Sequence, residues 1–255
     1  MRKNTIRIMK IIISPAKKLS SENFVSNMNS EIRFRNESEY LVNILRGYGK
    51  GEIKKLMNLS DQLVDLNYSR FQDWSLDSNS VSSAIYMFQG DVYKGLRVNE
   101  FSKDDLYFAQ DNLRILSGLY GLLRPLDIIF PYRLEMGTRL PNNRGDNLYD
   151  FWGNILMDSL LSEMQDDEVL VNLASNEYSK VLNLGRFNRS VITPVFKDYK
   201  NGNFKVVSFF AKKARGEMAR FIIRNKIKTI DDIMLFNTDG YKFSEAKEGE
   251  LLFCR

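Results

Sequence analysis

Ser14 and Lys17 stand three residues apart in Ile13-Ser-Pro-Ala-Lys17. This is the spacing of serine/lysine nucleophile pairs, in which the amine takes the hydroxyl proton, but such a pair needs a helix to bring the two side chains together. Here the motif follows a β-branched run that reads as a strand. The better-supported reading is a loop at a strand end, with Lys17 as a phosphate donor. Three carboxylates lie in segments dense in polar and aromatic residues: Asp91 in Gly90-Asp-Val-Tyr-Lys-Gly95, Glu135 in Pro131-Tyr-Arg-Leu-Glu-Met-Gly137, and Glu177 in Asn172-Leu-Ala-Ser-Asn-Glu-Tyr178. They are candidates for general acid/base groups, with Lys17, Lys94 and Arg133 as holders of phosphate. Arg133 and Glu135 also fit a plain ion pair.

The largest concentration of charge comes later. Between Lys205 and Lys228 there are eight Lys or Arg and one acid, Glu217. At about 100° per residue, a helix places Lys213, Arg220 and Arg224 in one stripe and Ala214, Met218, Phe221 and Ile222 on another face. The stripe is either a solvated helix face or a phosphate-binding surface whose affinity would fall with salt. Acids normally alternate with bases on a solvating face, and their near-absence favours the second reading. A further candidate is Ile115-Leu-Ser-Gly-Leu-Tyr-Gly-Leu-Leu-Arg-Pro125. With Gly118 and Gly121 it resembles the hairpin of a helix-hairpin-helix module, where glycines let the backbone approach a DNA phosphate. Those hairpins usually carry one residue between the glycines, whereas Leu119 and Tyr120 stand here. A helix C-cap at Gly118 is the simpler alternative.

Composition excludes several chemistries. The chain has 255 residues, no histidine and one cysteine, Cys254. Ser-His-Asp and Cys-His catalysis, imidazole metal ligands and an intramolecular disulfide are therefore out. Any metal would rest on carboxylate oxygens, and no metal or cofactor is expected. Neither GxGxxG nor GxxxxGK[ST] occurs. A net charge of +5 and a hydrophobic content of 44% describe a folded, mildly basic chain leaning toward an anionic partner. The apolar run Ile11–Ile13 is too short for a signal peptide, no stretch is long enough to span a membrane, and a cytoplasmic protein is expected.

These candidates need a scaffold. Arg7 to Ile13, Glu168 to Leu173 and Leu251 to Cys254 read as strands. Ser38 to Tyr48, Ser60 to Trp74, Ser80 to Gln89 and Asn147 to Met164 read as helices, with a short one over Glu177 to Leu182. Ser102-Lys-Asp-Asp105 resembles a capping box for a helix running to Gly118. Thr229-Ile-Asp-Asp232 caps a shorter helix. Lys200-Asn-Gly-Asn203 joins two strands, Val191–Tyr199 and Phe204–Phe210, in a hairpin. Interspersed strands and helices with one clear antiparallel hairpin predict an α+β fold, with a mixed sheet flanked by helices in a single domain over residues 1–255.

Six segments carry a resemblance: ISPAK, FQGDVYKGL (Phe88 to Leu96), LSGLYGLLRPLD, PYRLEMG, NLASNEY and FFAKKARGEMARFII. Segments like these occur in the same order in the YaaA family of peroxide stress proteins. The resemblance implies a cytoplasmic protein that limits damage under hydrogen peroxide, lowers free intracellular iron, and binds DNA through a basic cleft and a helix-hairpin-helix element. It maps the hairpin onto Gly118 to Arg124, the basic element onto Lys212, Lys213, Arg215 and Arg220, and the loop lysine onto Lys17. It also sets the family's usual start at Met9, making residues 1–8 either a dispensable extension or a matter of start-site choice. Without histidine, tight iron binding is poorly supported, so an indirect effect on iron is expected. The expected function is DNA binding in the peroxide response, to duplex or distorted DNA. The alternative is an enzyme acting on nucleic acid or nucleotides in a basic cleft.

Overall fold

A computed structural model describes residues 9–25 and 27–255; residues 1–8, the expected extension, lie outside the described residues. At its centre is an eight-stranded sheet. Its strands, numbered here along the chain, are β1 (Met9–Ile13), β2 (Leu113–Ser117), β3 (Gly121–Leu123), β4 (Val169–Leu173), β5 (Ser190–Lys200), β6 (Asn203–Lys205), β7 (Lys242–Lys247) and β8 (Glu250–Cys254). The order is β7-β8-β5-β4-β1-β2-β3, with β6 pairing β5 at its far end. Strands β8, β5, β4, β1 and β2 run parallel, while β3, β6 and β7 are antiparallel to their neighbours. The sheet is therefore mixed and the fold α+β. Every residue of Met9–Ile13 and of Val169–Leu173 is buried. Largely apolar runs of this kind, interrupted only by Lys10 and Asn172, suit strands covered on both faces.

The covering elements follow from local chemistry. Ser102 accepts from the Asp105 N–H, and the Asp105 carboxylate accepts from the Ser102 N–H, closing the expected capping box at the start of the helix Lys103–Asn112. Thr229 caps Ile230–Ile233: its hydroxyl accepts from the Asp232 N–H and donates to the Asp232 carboxylate. Asn201 and Gly202 both adopt positive φ, 54° and 82°, which gives the hairpin turn the twist its strands need. The long helix Ser208–Asn225 packs over β1, β4 and β5 and lies most closely on the short helix Asp91–Leu96. That crossing is glycine-mediated from both sides. A Cβ on Gly95 would lie 2.2 Å from the Lys213 carbonyl oxygen, and one on Gly216 1.8 Å from the Val92 carbonyl oxygen.

Several expectations are corrected. The helix from Ser102 ends at Asn112, and Leu113–Ser117 enters the sheet as β2. The segment from Gly118 to Leu123 is thus the turn and return strand of a buried β-hairpin, not a helix-hairpin-helix element. Gly118 is closed in by the Leu134 carbonyl, its own carbonyl accepts from the Trp152 indole, and Gly121 sits against Trp152 and Leu156. A continuous apolar run fits a helix or a central strand equally well, which is why the pattern misled. Asn147–Met164 is two helices, Leu148–Trp152 and Ile155–Ser162, broken at Gly153 with φ 47°. Ser80–Gln89 contains only one helical turn, Ala84–Met87. Asp91–Leu96 is a short helix, and Phe209 and Phe210 lie in the first turn of the long helix rather than in a strand. Strand β7 was not foreseen: its side chains are mostly exposed and polar, so it carries no apolar alternation.

Candidate anion-binding cleft

Chain order along the sheet reverses between β1 and β4. From β1 the chain moves to β2 and β3 on one side, then returns to β4 and continues to β5 and β8 on the other. In open parallel sheets the crevice beyond the carboxyl ends of the strands at such a point is where ligands bind. A cleft of about 320 Å³ lies there, bordered by the loop after β1, the loop after β4, the start of the helix Asp91–Leu96 and the long basic helix.

Each wall is held in place. Ser14 Oγ accepts the Ser175 N–H at 2.9 Å and donates to Ser175 Oγ at 3.3 Å, joining the two strand-end loops. The Tyr93 hydroxyl donates to the Ser14 carbonyl at 3.2 Å, tying the loop after β1 to the short helix. Lys18 and Leu19 pair with Gln89 and Phe88 as a two-stranded ladder at the mouth. Tyr93 and Tyr178 form part of the lining. Burial pushes both phenols above their usual range, so each remains a neutral donor.

The cations divide sharply. Lys17, Lys212 and Arg215 line the cleft. Lys212 is exposed, and neither it nor Arg215 has a hydrogen bond or ion pair among the described residues. Arg215 is half-buried, and burial alone draws its pKa down, with no neighbouring acid to raise it. Its guanidinium makes no ion pair among the described residues, although Asp91 and Glu177 border the same cleft. Lys17 reaches Glu135 at 3.0 Å but remains largely exposed.

The other expected phosphate contacts are spent on the protein itself. Lys213 holds Glu217 at 3.2 Å and Asp239 at 3.1 Å. Arg220 is ion-paired with Glu100. Arg124 donates to Asp127 at 3.0 Å and to the Glu31 carbonyl at 2.9 Å. Arg133 pairs with Glu135 at 3.1 Å, as one reading of the sequence held, and both line a shallow recess next to the cleft. Lys94 stands exposed beside Asp91 at 3.5 Å. Of the candidate acids, Asp91 and Glu177 reach the cleft, and Glu177 accepts from the Gly137 N–H at 3.2 Å. Glu135 lies between Lys17 and Arg133 and pairs with both. Gly118 and Gly121 are buried away from the cleft lining.

Ser175, Tyr93 and Tyr178 complete the lining and were not singled out from the sequence, although each falls inside a segment already noted for polar and aromatic density. Their common signal was position: each lies just past a strand end or at a helix start that the fold brings to the same edge.

The molecule is an α+β protein with a cleft lined by Lys17, Lys212 and Arg215 at the switch point of a mixed sheet. The family model of peroxide stress protein YaaA matches residues 9–247, and the chain belongs to this family, which places it in the response to peroxide stress. It is 49% identical over 255 residues to a UPF0246 protein of Colwellia psychrerythraea strain 34H, spanning 97% of this chain and 99% of the relative. UPF0246 proteins of Aliivibrio fischeri strains MJ11 and ES114 are each 48% identical over 244 residues, 94% of either chain. Among the described residues no helix is long and apolar enough to cross a membrane.

Proposed function

We propose that this is a cytoplasmic DNA-binding protein of the peroxide response, and that it holds a phosphate-bearing nucleotide in the cleft between the ends of β1 and β4. The observation that carries the reading is Arg215, a half-buried guanidinium facing the cleft with no ion pair among the described residues. A cation desolvated without a partner is costly, and an incoming phosphate would relieve that cost through charge-assisted hydrogen bonds. Lys17 and Lys212 add two further donors to the same space. A volume of about 320 Å³ suits one nucleotide rather than the body of a duplex. The DNA reading therefore rests on the cleft, with no contribution from Gly118 and Gly121. The effect on free iron implied by the family resemblance is proposed as indirect, because a chain without histidine and with one cysteine is poorly suited to hold Fe²⁺ selectively.

Fluorescence anisotropy with labelled DNA at low salt tests the proposal. Arg215→Ala is expected to weaken binding about 10-fold or more, whereas Lys213→Ala combined with Arg220→Ala should stay within about twofold. An Arg215→Ala protein that binds like the wild type would sink the proposal.

A second reading, an enzyme acting on nucleic acid or nucleotides, is favoured by Asp91 and Glu177 bordering the same cleft as Lys17. Incubation of oligonucleotides and free nucleotides with the wild type and with Asp91→Asn/Glu177→Gln, followed by mass spectrometry, decides it. A product formed by the wild type alone converts binding into catalysis.

A further inference from the structure

Five large apolar side chains stand out of the surface in one short stretch: Tyr199, Phe204, Val206, Phe209 and Phe210, exposed by 63%, 51%, 52%, 53% and 40%. Tyr199 and Phe204 face each other across the β5–β6 hairpin, with ring centroids 5.2 Å apart and planes at 64°. Phe209 and Phe210 meet edge to face at 5.6 Å in the first turn of the long helix. The Arg255 guanidinium lies 4.5 Å over the Phe210 ring. Between Tyr199 and Gly216 the chain contains no acid, while Lys200, Lys205 and Lys212 punctuate the stretch. The nearest carboxylate on β5, Asp198, is buried and held by Tyr241 and Arg255. Contiguous exposed aromatics of this kind mark an interaction surface; the charge on the stretch itself is entirely positive, with Asp239 at its edge bound to Arg255. The surface also runs into the cleft. Phe209 precedes Lys212 by three residues on one helix face, and Lys212 lines the cleft.

We infer that the arm from Tyr199 to Phe210 is a stacking platform for unpaired bases of a DNA strand whose phosphate enters the cleft, so that single-stranded or locally opened DNA binds better than intact duplex. Bases in a duplex have their faces already stacked. Unpaired bases offer free faces, and rings interleaved with lysines are how proteins hold single strands without sequence preference. The inference rests on the DNA reading above, which it refines by naming the strand state recognised.

The test uses the full chain and a fluorescein-labelled short DNA strand of mixed sequence, free and annealed into duplex. The wild type is expected to bind the free strand more tightly. The triple variant Tyr199→Ala/Phe204→Ala/Phe209→Ala is expected to lose about 10-fold or more on the free strand and less than about twofold on the duplex. A double variant, Phe204→Trp/Phe209→Trp, keeps the stacking faces and should retain single-strand affinity. A loss as large as that of the alanine variant overturns the stacking account, as does triple-alanine protein that binds the free strand like the wild type. If sedimentation shows that the triple variant converts a dimer to a monomer while single-strand affinity is unchanged, the surface serves a second copy of the chain and the inference falls. Failure of the wild type to bind any DNA removes the DNA reading itself. Loss of binding in Arg215→Ala with an unaffected triple variant removes only the platform.

Discussion

The helix Ser208–Asn225 carries two sets of cations that composition cannot tell apart. Lys212 and Arg215 turn toward the cleft and make no ion pair among the described residues. Lys213 and Arg220 turn away and are consumed by Glu217, Asp239 and Glu100. Arg97 also approaches the buried Glu217, at 3.7 Å. One side of the helix neutralises the protein's own carboxylates and serves stability. The other leaves a desolvated guanidinium at the cleft, the group the proposed function assigns to a phosphate. Basic density in a sequence is thus not a measure of binding capacity, because what matters is the charge left over after internal pairing.

The crossing that fixes both sides can be broken directly. Gly216→Ala drives a Cβ to 1.8 Å from the Val92 carbonyl oxygen, and neither backbone can yield without separating the helices. Stability should fall by about 3 kcal/mol or more, read as a drop in melting temperature of roughly 6 °C or more, and the cleft wall should be lost with it. A next-larger effect separates the two cation sets. Lys213→Ala leaves Glu217, whose side chain is only 2% exposed, with Arg97 alone. Denaturant unfolding should show a loss of about 2 kcal/mol, with DNA affinity unchanged. A stable Lys213→Ala protein with weakened DNA binding would invert the assignment.

The same contrast appears in acid. Burial pushes the Asp239 carboxyl up, but hydrogen bonds and charge from Lys213 and Arg255 more than reverse this, leaving it below the usual aspartate value. A carboxyl lowered in the folded state contributes stability above its unfolded value, and that contribution disappears as pH falls through the folded value. The wild type should therefore show an acid limb below about pH 4. Lys213→Ala should flatten that limb and Arg215→Ala should leave it intact, as followed by urea midpoints against pH. The smallest effect belongs to Lys94, exposed at the mouth beside Asp91 at 3.5 Å. Lys94→Ala should change stability by less than about 1 kcal/mol, and DNA affinity at physiological salt by about twofold or less, because exposed charges are screened there.

What was legible from residues alone had local causes. The Ser102 capping box, the Thr229 cap and the Asn201-Gly202 turn depend on side chains a few positions apart, and all three are present. Lys17 after a strand correctly marked a strand-end loop. The hairpin at Gly118 was misread because an apolar stripe that begins in a helix continues into a parallel strand without a change of composition. The break at Gly153 was missed for the same reason, since the apolar spacing persists across it.

By itself the sequence determined the chemical inventory. With no histidine and one cysteine, an excess of basic residues late in the chain, and the ordered segments that mark the family, it fixed which reactions and ligands are open and which are closed. Only the tertiary structure decided which charges are free. Lys17 and Arg215 are almost 200 residues apart and share a cleft, where Lys17 reaches Glu135 and Arg215 makes no ion pair among the described residues, whereas Lys213, two residues from Arg215, is bound to Glu217 and Asp239. Electrostatic pairing acts over a few ångströms in space, and the path of the chain through the sheet and across the Gly95–Gly216 crossing sets those distances.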